Sequence, residues 1–326
     1  MTPSTTTRRA LALGAAALLA LTAAACSSSS GSGSGGQKSM TLILGTKGDE
    51  FYQTMSCGAQ AEAKKLGVKL DVTGAQQWDA QQQIPIVDSV TAQRPDAVLI
   101  APVDTKALVQ PLKQTQQNGS KVVLVDTTVD DASIGVSRIS SDNVLGGKVA
   151  ADALGAQLGG KGAVLTVSVE PGVSTTDQRI QGFQAELKAK YPGIQDLGVQ
   201  YDNDDPAKAA SIVSSELAAH PNMTGVFAAN VLAGEGAATG AKNAGRGGQL
   251  KIAAFDAGPK QVADLKSGVL QVLVAQDPAT IGSDGVQQAY NALTGKPVTA
   301  HIGTDLVAIT QQNMDQESRY FYKSTC

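Results

Sequence analysis

Short aliphatic runs alternate along this chain with longer stretches whose apolar positions recur every three or four residues. Runs of that kind, bounded by polar or glycine positions, mark strands buried on both faces, and the longer period marks amphipathic helices. Strands are predicted over residues 41–46, 68–73, 97–101, 122–126, 163–169, 198–201, 225–229, 251–255, 270–275 and 305–310. Helices are predicted over 52–66, 81–92, 105–118, 144–158, 178–190, 207–219, 234–244, 259–267 and 278–293, with Gly67 and Gly119 closing two of them. A strand–helix rhythm of this regularity implies α/β architecture with doubly wound parallel sheets, helices covering both faces.

Residues 121–147 organise the rhythm. Val122 to Val125 form a buried-strand run that stops on Asp126. A carboxylate at the carboxyl end of a parallel strand sits where open α/β sheets bind ligands. Thr127 and Thr128 follow, then a polar crossing, then Ser141-Asp142-Asn143, where Asp142 suits a helix N-cap. At 326 residues the chain exceeds one typical core. The stretch therefore reads as the first crossing between two similar lobes, with Asp126 facing the gap.

Composition narrows the class. Aromatics are only 4% and the formal net charge is −3, so no basic footprint for nucleic acid is present. Thr7-Arg8-Arg9, an Ala/Leu run to Ala25 and then Cys26 form a targeting segment, weakly similar to a twin-arginine signal. Ala23-Ala24-Ala25-Cys26 matches a lipobox without its usual Leu, and a Ser/Gly tether follows at once. An ordinary signal peptide is the alternative, but a tether directly after a Cys favours a lipid anchor on Cys26, outside the cell membrane. Export places Cys57 and Cys326 in an oxidising compartment, where a disulfide is expected; a buried thiol and a frayed tail are the alternative. The expected layout is a signal peptide (1–26), a tether (27–39), an N-terminal lobe (40–140 plus 277–305), a C-terminal lobe (141–276 plus 306–313) and a tail (314–326).

Asp126, Asn230, Asp256 and Gln276 each follow an apolar strand, and Thr46 to Asp49 and Ser174 to Arg179 occupy two further strand ends. Carboxylates, carboxamides and a guanidinium together suit a neutral ligand with many hydroxyls. Phe51 and Tyr52 are placed to lie against an apolar sugar face. Any one of these acids alone would read as a helix or turn cap; several at consecutive strand ends read as a site. Other motifs read blandly. Gly234-Glu235-Gly236 with Gly240 starts too far from its strand to hold a pyrophosphate, and suits close helix packing. Asp202, Asp204 and Asp205 lack the glycine turn of a calcium loop. His220 and His301 are isolated, and no nucleophile–base set is evident. No metal, cofactor or catalytic residue is expected.

Several segments resemble the ribose-binding-protein class of sugar ABC transporter receptors: Cys57-Gly58-Ala59-Gln60, the run from Ile139 to Gly147, Arg179-Ile180-Gln181-Gly182-Phe183, Val226-Phe227-Ala228-Ala229-Asn230, Phe255-Asp256 and Ala275-Gln276-Asp277-Pro278. The resemblance runs from about residue 40 to 310. It implies a type I periplasmic-binding-protein fold, two lobes joined by a multi-strand hinge that closes over a sugar. It implies a ligand set of Asp49, Phe51, Tyr52, Asp126, Thr127, Thr175, Arg179, Asn230, Asp256 and Gln276, with Arg179 in the loop before its helix. Thr46, Trp78, Asn203 and Asp204 form an outer rank. Asp49 replaces a family Asn. Thr127 stands where ribose binders carry Arg, and Asn203-Asp204 where they carry an aromatic; both departures point to a pentose, hexose or polyol other than ribose. Partners implied are a neutral sugar or polyol and an ABC permease with its ATPase; the membrane is met only through the lipid anchor, and a monomer is expected. A sensory protein for a sugar-like autoinducer is the alternative. A glycoside-processing enzyme using Asp126 and Asp256 ranks lower, and no helix-turn-helix supports a transcription factor.

Overall fold

The computed structural model describes residues 37–326. The signal segment, Cys26 and the tether through Gly36 lie outside the described residues. In chain order the strands are β1 (Ser39–Thr46), β2 (Lys69–Ala75), β3 (Ala97–Ile100), β4 (Lys121–Val125), β5 (Ser137–Ser141), β6 (Gly162–Ser168), β7 (Ile194–Tyr201), β8 (Met223–Ala228), β9 (Lys251–Phe255), β10 (Val272–Gln276), β11 (His301–Thr304) and β12 (Leu306–Ile309). The helices are α1 (Glu50–Leu66), α2 (Ala80–Gln93), α3 (Val109–Gln117), α4 (Asn143–Gln157), α5 (Ser174–Lys190), α6 (Pro206–Ala219), α7 (Val231–Asn243), α8 (Pro259–Lys266) and α9 (Pro278–Thr294). Asp or Asn side chains cap α1, α2, α4, α6, α7 and α9 by accepting a first-turn N–H. Each cap satisfies a donor the helix cannot satisfy itself. Gly67 ends α1 in the left-handed region at φ 68°, where a side chain is disfavoured.

Two six-stranded sheets result. One runs β11-β5-β4-β3-β1-β2 and the other β12-β10-β9-β8-β6-β7. They follow one plan, and the pairings are parallel except β10 with β12. Both central strand sets are sealed: Leu42, Leu99 and Val123 in the first, Leu165, Val226 and Ile252 in the second, are 0% exposed. Phe183 and Phe227 stack at 4.3 Å and pin α5 to β8.

The same device packs one helix pair in each lobe. A methyl group on Gly58 of α1 would collide with Ala279 O, and one on Gly282 of α9 with Met55 O. In the other lobe, Gly147 of α4 meets Arg179 O and Gly182 of α5 meets Val144 O in the same way. Backbones approach this closely only where no Cβ intervenes. In α7, Gly236 and Gly240 press on α6 at Ala209 and Ala210, so that glycine cluster is a helix contact.

The chain passes between the sheets at Asp142, Asp277 and Asp305, each a single residue between an element of one lobe and an element of the other. This corrects the reading of residues 129–140 as a polar crossing, because 137–141 are β5 of the first sheet. Its neighbour β11 was also unread. Both strands are polar because their side chains are satisfied locally: Ser137 Oγ donates to Thr299 O at 2.6 Å, and Ser141 Oγ lies 3.0 Å from Thr304 Oγ1. The helix expected over 105–118 is helical only from Val109; Asp104 instead ties a turn by accepting from the N–H groups of Lys106 and Ala107.

A disulfide joins Cys57 of α1 to Cys326. It holds the C-terminal segment, which includes a 3-10 turn at Ser318–Tyr320, against the first lobe.

Candidate ligand-binding cleft

Asp126 follows β4 and Asp256 follows β9, the equivalent strand of the other sheet. Both adopt left-handed backbone, φ 64° and φ 77°. Each N–H still donates to the neighbouring strand, Asp126 to Ile139 O at 2.7 Å and Asp256 to Val274 O at 2.8 Å. The turn thus keeps its ladder bond while sending the carboxylate off the sheet end, where two lobes face each other. Asp126 is 7% exposed and Asp256 2%.

Their partners differ. Asp126 Oδ2 accepts from Tyr52 OH at 2.7 Å. Asp256 Oδ1 accepts from Gln276 Nε2 at 2.7 Å and from Tyr322 OH at 2.8 Å, while its Oδ2 lies 3.9 Å from Arg179 Nη1. Burial pushes Asp126 up to about 6, opposed by the nearby Arg179 charge and by Tyr52. Burial also raises Asp256, opposed by Arg179, Gln276 and Tyr322.

Arg179 is on α5 itself, as the helix expected over 178–190 has it, and not in the loop before it that the resemblance implies. The Ser-Thr-Thr start of that helix carries weak propensity and reads as loop, but Asp177 N–H bonds Val173 O and starts the helix at Ser174. Arg179 Nε donates to Asn143 Oδ1 at 2.8 Å and Nη1 to Ala229 O at 2.8 Å. Its guanidinium carbon lies 3.8 Å from the Phe255 ring centroid. So the fork is oriented before any ligand arrives, and it retains further N–H groups to donate. Gln276 Oε1 is buried without a hydrogen-bond partner, an acceptor beside Asp256.

The first lobe supplies the aromatic side. Phe51 and Tyr52 meet edge-on at 5.1 Å, and Trp78 stacks on Tyr52 at 6.1 Å with its Nε1 donating to Val103 O. Asp49 caps α1 through Phe51 N–H, and burial together with the Asp204 and Asp256 charges drives it well above the usual carboxylate range. Asp204 accepts from Asn230 Nδ2 at 2.7 Å, and burial takes it to about 6. Asn230 also caps α7, its side chain accepting from Ala233 N–H.

These groups line one small cavity of about 30 Å³: Asp49, Phe51, Tyr52, Trp78, Asp126, Thr175, Arg179, Asn230, Asp204, Asp256 and Gln276, joined by Val169, Val173 and Thr176. Three candidates lie elsewhere. Thr127 faces an adjoining cavity on the hinge side, its buried Oγ1 unpartnered. Thr46 and Asn203 line an outer acidic basin, where Lys208 Nζ donates to Asn203 Oδ1 at 2.7 Å. Asn143, which orients Arg179, and Tyr322, which reaches Asp256 from the chain end, were not among the candidates; for Tyr322, its nearness to a terminal Cys was the available signal. Among the described residues no cluster of His, Cys, Asp or Glu is arranged to hold a metal ion. The lobes touch across the cleft: Thr105 N–H donates to Gly172 O at 3.2 Å and Thr128 N–H to Ser174 Oγ at 3.0 Å.

Four carboxyl groups, each raised by burial, and one guanidinium meet in this low-dielectric cavity. Two lobes joined by three single-residue crossings, with hydrogen-bonding groups converging from both, define a solute-binding protein of the two-lobed kind. Residues 40–297 match the model of the periplasmic binding protein domain, and the chain belongs to that family, in its ribose-binding-protein class. The ribose import binding protein of Salmonella typhimurium is 31% identical over 274 residues, covering 84% of this chain and 91% of that protein. That of Bacillus subtilis is 30% identical over 271 residues, covering 83% and 87%. A solute-binding protein from Agrobacterium vitis, solved with bound α-D-tagatopyranose, aligns with TM-score 0.86 at 42% identity, over 88% of this chain and all of that one. One from Agrobacterium radiobacter in complex with D-arabinose aligns at 0.84 and 29%, over 88% and 98%. These are transport receptors rather than enzymes.

Proposed function

We propose that this chain is an exported, lipid-anchored receptor that closes on a neutral sugar or polyol and hands it to an ABC permease. The observation that carries the reading is the convergence of Asp126, Asp256, Arg179 and the unpartnered Gln276 Oε1 on one small cavity beside Tyr52. Carboxylates accept from neighbouring hydroxyls, the guanidinium donates, and the carboxamide oxygen takes one donor more. Phe51, Tyr52 and Trp78 offer apolar area to the carbon face of a ring. Much of the site is oriented by protein–protein hydrogen bonds, which lowers the ordering cost of binding. The relatives bind ribose, tagatose or arabinose by their names, neutral monosaccharides whose hydroxyls match the acceptors and donors gathered here.

The ligand set proposed is Asp49, Phe51, Tyr52, Trp78, Asp126, Thr175, Arg179, Asp204, Asn230, Asp256 and Gln276. A thermal-shift screen tests it, using D-tagatose, D-arabinose, D-allose, D-ribose and galactitol against ribose 5-phosphate and glucuronate. A neutral member at 100 times its Kd raises stability by about 2.7 kcal/mol. Tight binding of an anion with no response to any neutral sugar or polyol overturns the reading. For the anchor, mass spectrometry of native protein is expected to find a lipidated Cys26 at the mature N-terminus; cleavage elsewhere with Cys26 unmodified refutes that part.

A further inference from the structure

The C-terminal segment bridges the lobes. Leaving the second sheet at β12, it brings Tyr322 N–H to Ala257 O at 3.0 Å, just beyond Asp256. The Tyr322 hydroxyl donates to Asp256 Oδ1 at 2.8 Å and accepts from Gln276 N–H at 3.2 Å. Its ring meets Phe51 of the first lobe edge-on at 5.8 Å, and the residue is 5% exposed. One residue on, Lys323 N–H donates to Thr54 Oγ1 of α1 at 2.8 Å, and Cys326 closes on Cys57.

Asp126 receives its phenol from Tyr52, the third residue of α1. The third residue of α5, the equivalent helix, is Thr176, whose hydroxyl turns back to Val173 O. The second lobe thus has no phenol of its own at that place, and the chain end supplies one. We propose that Tyr322 is a positioning residue of the cleft, delivered by a strap that the Cys57–Cys326 disulfide ties to α1. With Oδ1 held by two donors, the Asp256 carboxylate cannot rotate, and Oδ2 is left facing Arg179 and the cavity. A segment beyond the last strand loses conformational entropy on settling into a buried crevice. The covalent anchor four residues away confines it near its seat and reduces that cost.

The proposal rests on the sugar-site reading only in its affinity arm, so the deciding measurement is made without ligand. Tyr322→Phe keeps the ring and removes the hydroxyl. Carbon-13 NMR titration of the Asp256 carboxyl, assigned through Asp256→Asn, should move to higher pH in Tyr322→Phe and in the Cys57→Ser/Cys326→Ser double variant. Hydrogen exchange at residues 318–326 should quicken in the double variant. Affinity for D-tagatose, D-arabinose and D-allose, for whichever of them the wild type binds, should fall about three- to tenfold in Tyr322→Phe, the scale of one hydrogen bond. An Asp256 titration identical to wild type in Tyr322→Phe overturns the positioning role. A shift in Tyr322→Phe with none in the double variant overturns the strap. Binding of none of the three sugars counts against the sugar reading, while the titration still decides on Tyr322.

Discussion

The two lobes share a scaffold and divide the chemistry. Their sheets have one strand order, their close helix pairs use glycines at matching positions, and Asp126 and Asp256 end equivalent strands in the same unusual backbone conformation. The decoration differs. The first lobe gives a wall of rings and a carboxylate with one side-chain donor. The second gives a carboxylate with two donors and a guanidinium beside it, all tied to neighbours. Architecture in such a fold is fixed by packing, which both lobes must satisfy alike. Recognition is fixed by side chains at strand ends, which packing leaves free to diverge.

The largest expected effects test this division directly. Asp→Asn is the clean change at both positions, because Asn also tolerates the left-handed backbone. Asp256→Asn should cost about 3–5 kcal/mol of folding stability, since it leaves Arg179 a buried charge without its partner, and should weaken sugar binding as well. Asp126→Asn should cost about 1.5–3 kcal/mol of sugar affinity, the scale of hydrogen bonds to a charged group. Scanning calorimetry in which Asp126→Asn is the more destabilising of the two breaks the comparison. Arg179→Ala should weaken binding by about 1.5–3 kcal/mol and also lower the melting temperature, because Asn143 and Ala229 lose their donor. Unchanged affinity with lowered stability would confine Arg179 to a structural role.

Scaffold equivalence predicts equal damage from equal insults. Gly58→Ala and Gly182→Ala should each destabilise by about 1–3 kcal/mol in urea unfolding. A large effect in one lobe with none in the other would show that the helix pairs are not equivalent. The smallest effect is on pH. Asp126, raised to about 6, and Asp202, raised to about 7, hold protons in the folded state that the unfolded chain releases near pH 4. Their contribution to stability is complete below that value and lost as pH rises through 6 to 7, so the unliganded protein should melt higher at pH 5.5 than at 7.5. Sugar hydroxyls favour the ionised carboxylate, so affinity should run the other way and fall below about pH 6. Asp126→Asn should flatten both trends; parallel slopes for stability and affinity would count against the assignment.

The aliphatic strands and their alternation with helices made the α/β class legible, since burial on both faces leaves one pattern. β5 and β11 were not legible, because Ser, Arg and Thr satisfied by neighbouring strands look like loop. Asp126, Asp256, Asn230 and Gln276 were readable from their place after apolar runs. Thr127 shows the limit of that reading. It follows Asp126 directly, yet consecutive residues at a strand end point to different sides, and it faces the hinge cavity. Tyr322 was hidden because it reaches Asp256 over a sequence separation of 66, which no local pattern reports.

The left-handed backbone at Asp126 and Asp256 also sets the terms on which this cleft can change its ligand. In that region most L-residues pay about 1–2 kcal/mol, and Gly, Asn and Asp escape the penalty. Of those, only Asp and Asn present an oxygen to a ligand. The alphabet at the two central positions is therefore close to two letters, whatever the sugar. A library aimed at new ligands gains little by randomising them. Its diversity belongs at Asp49, Trp78 and Thr175, whose backbone lies outside the left-handed region, and not at Asp204, which shares that conformation at φ 58°.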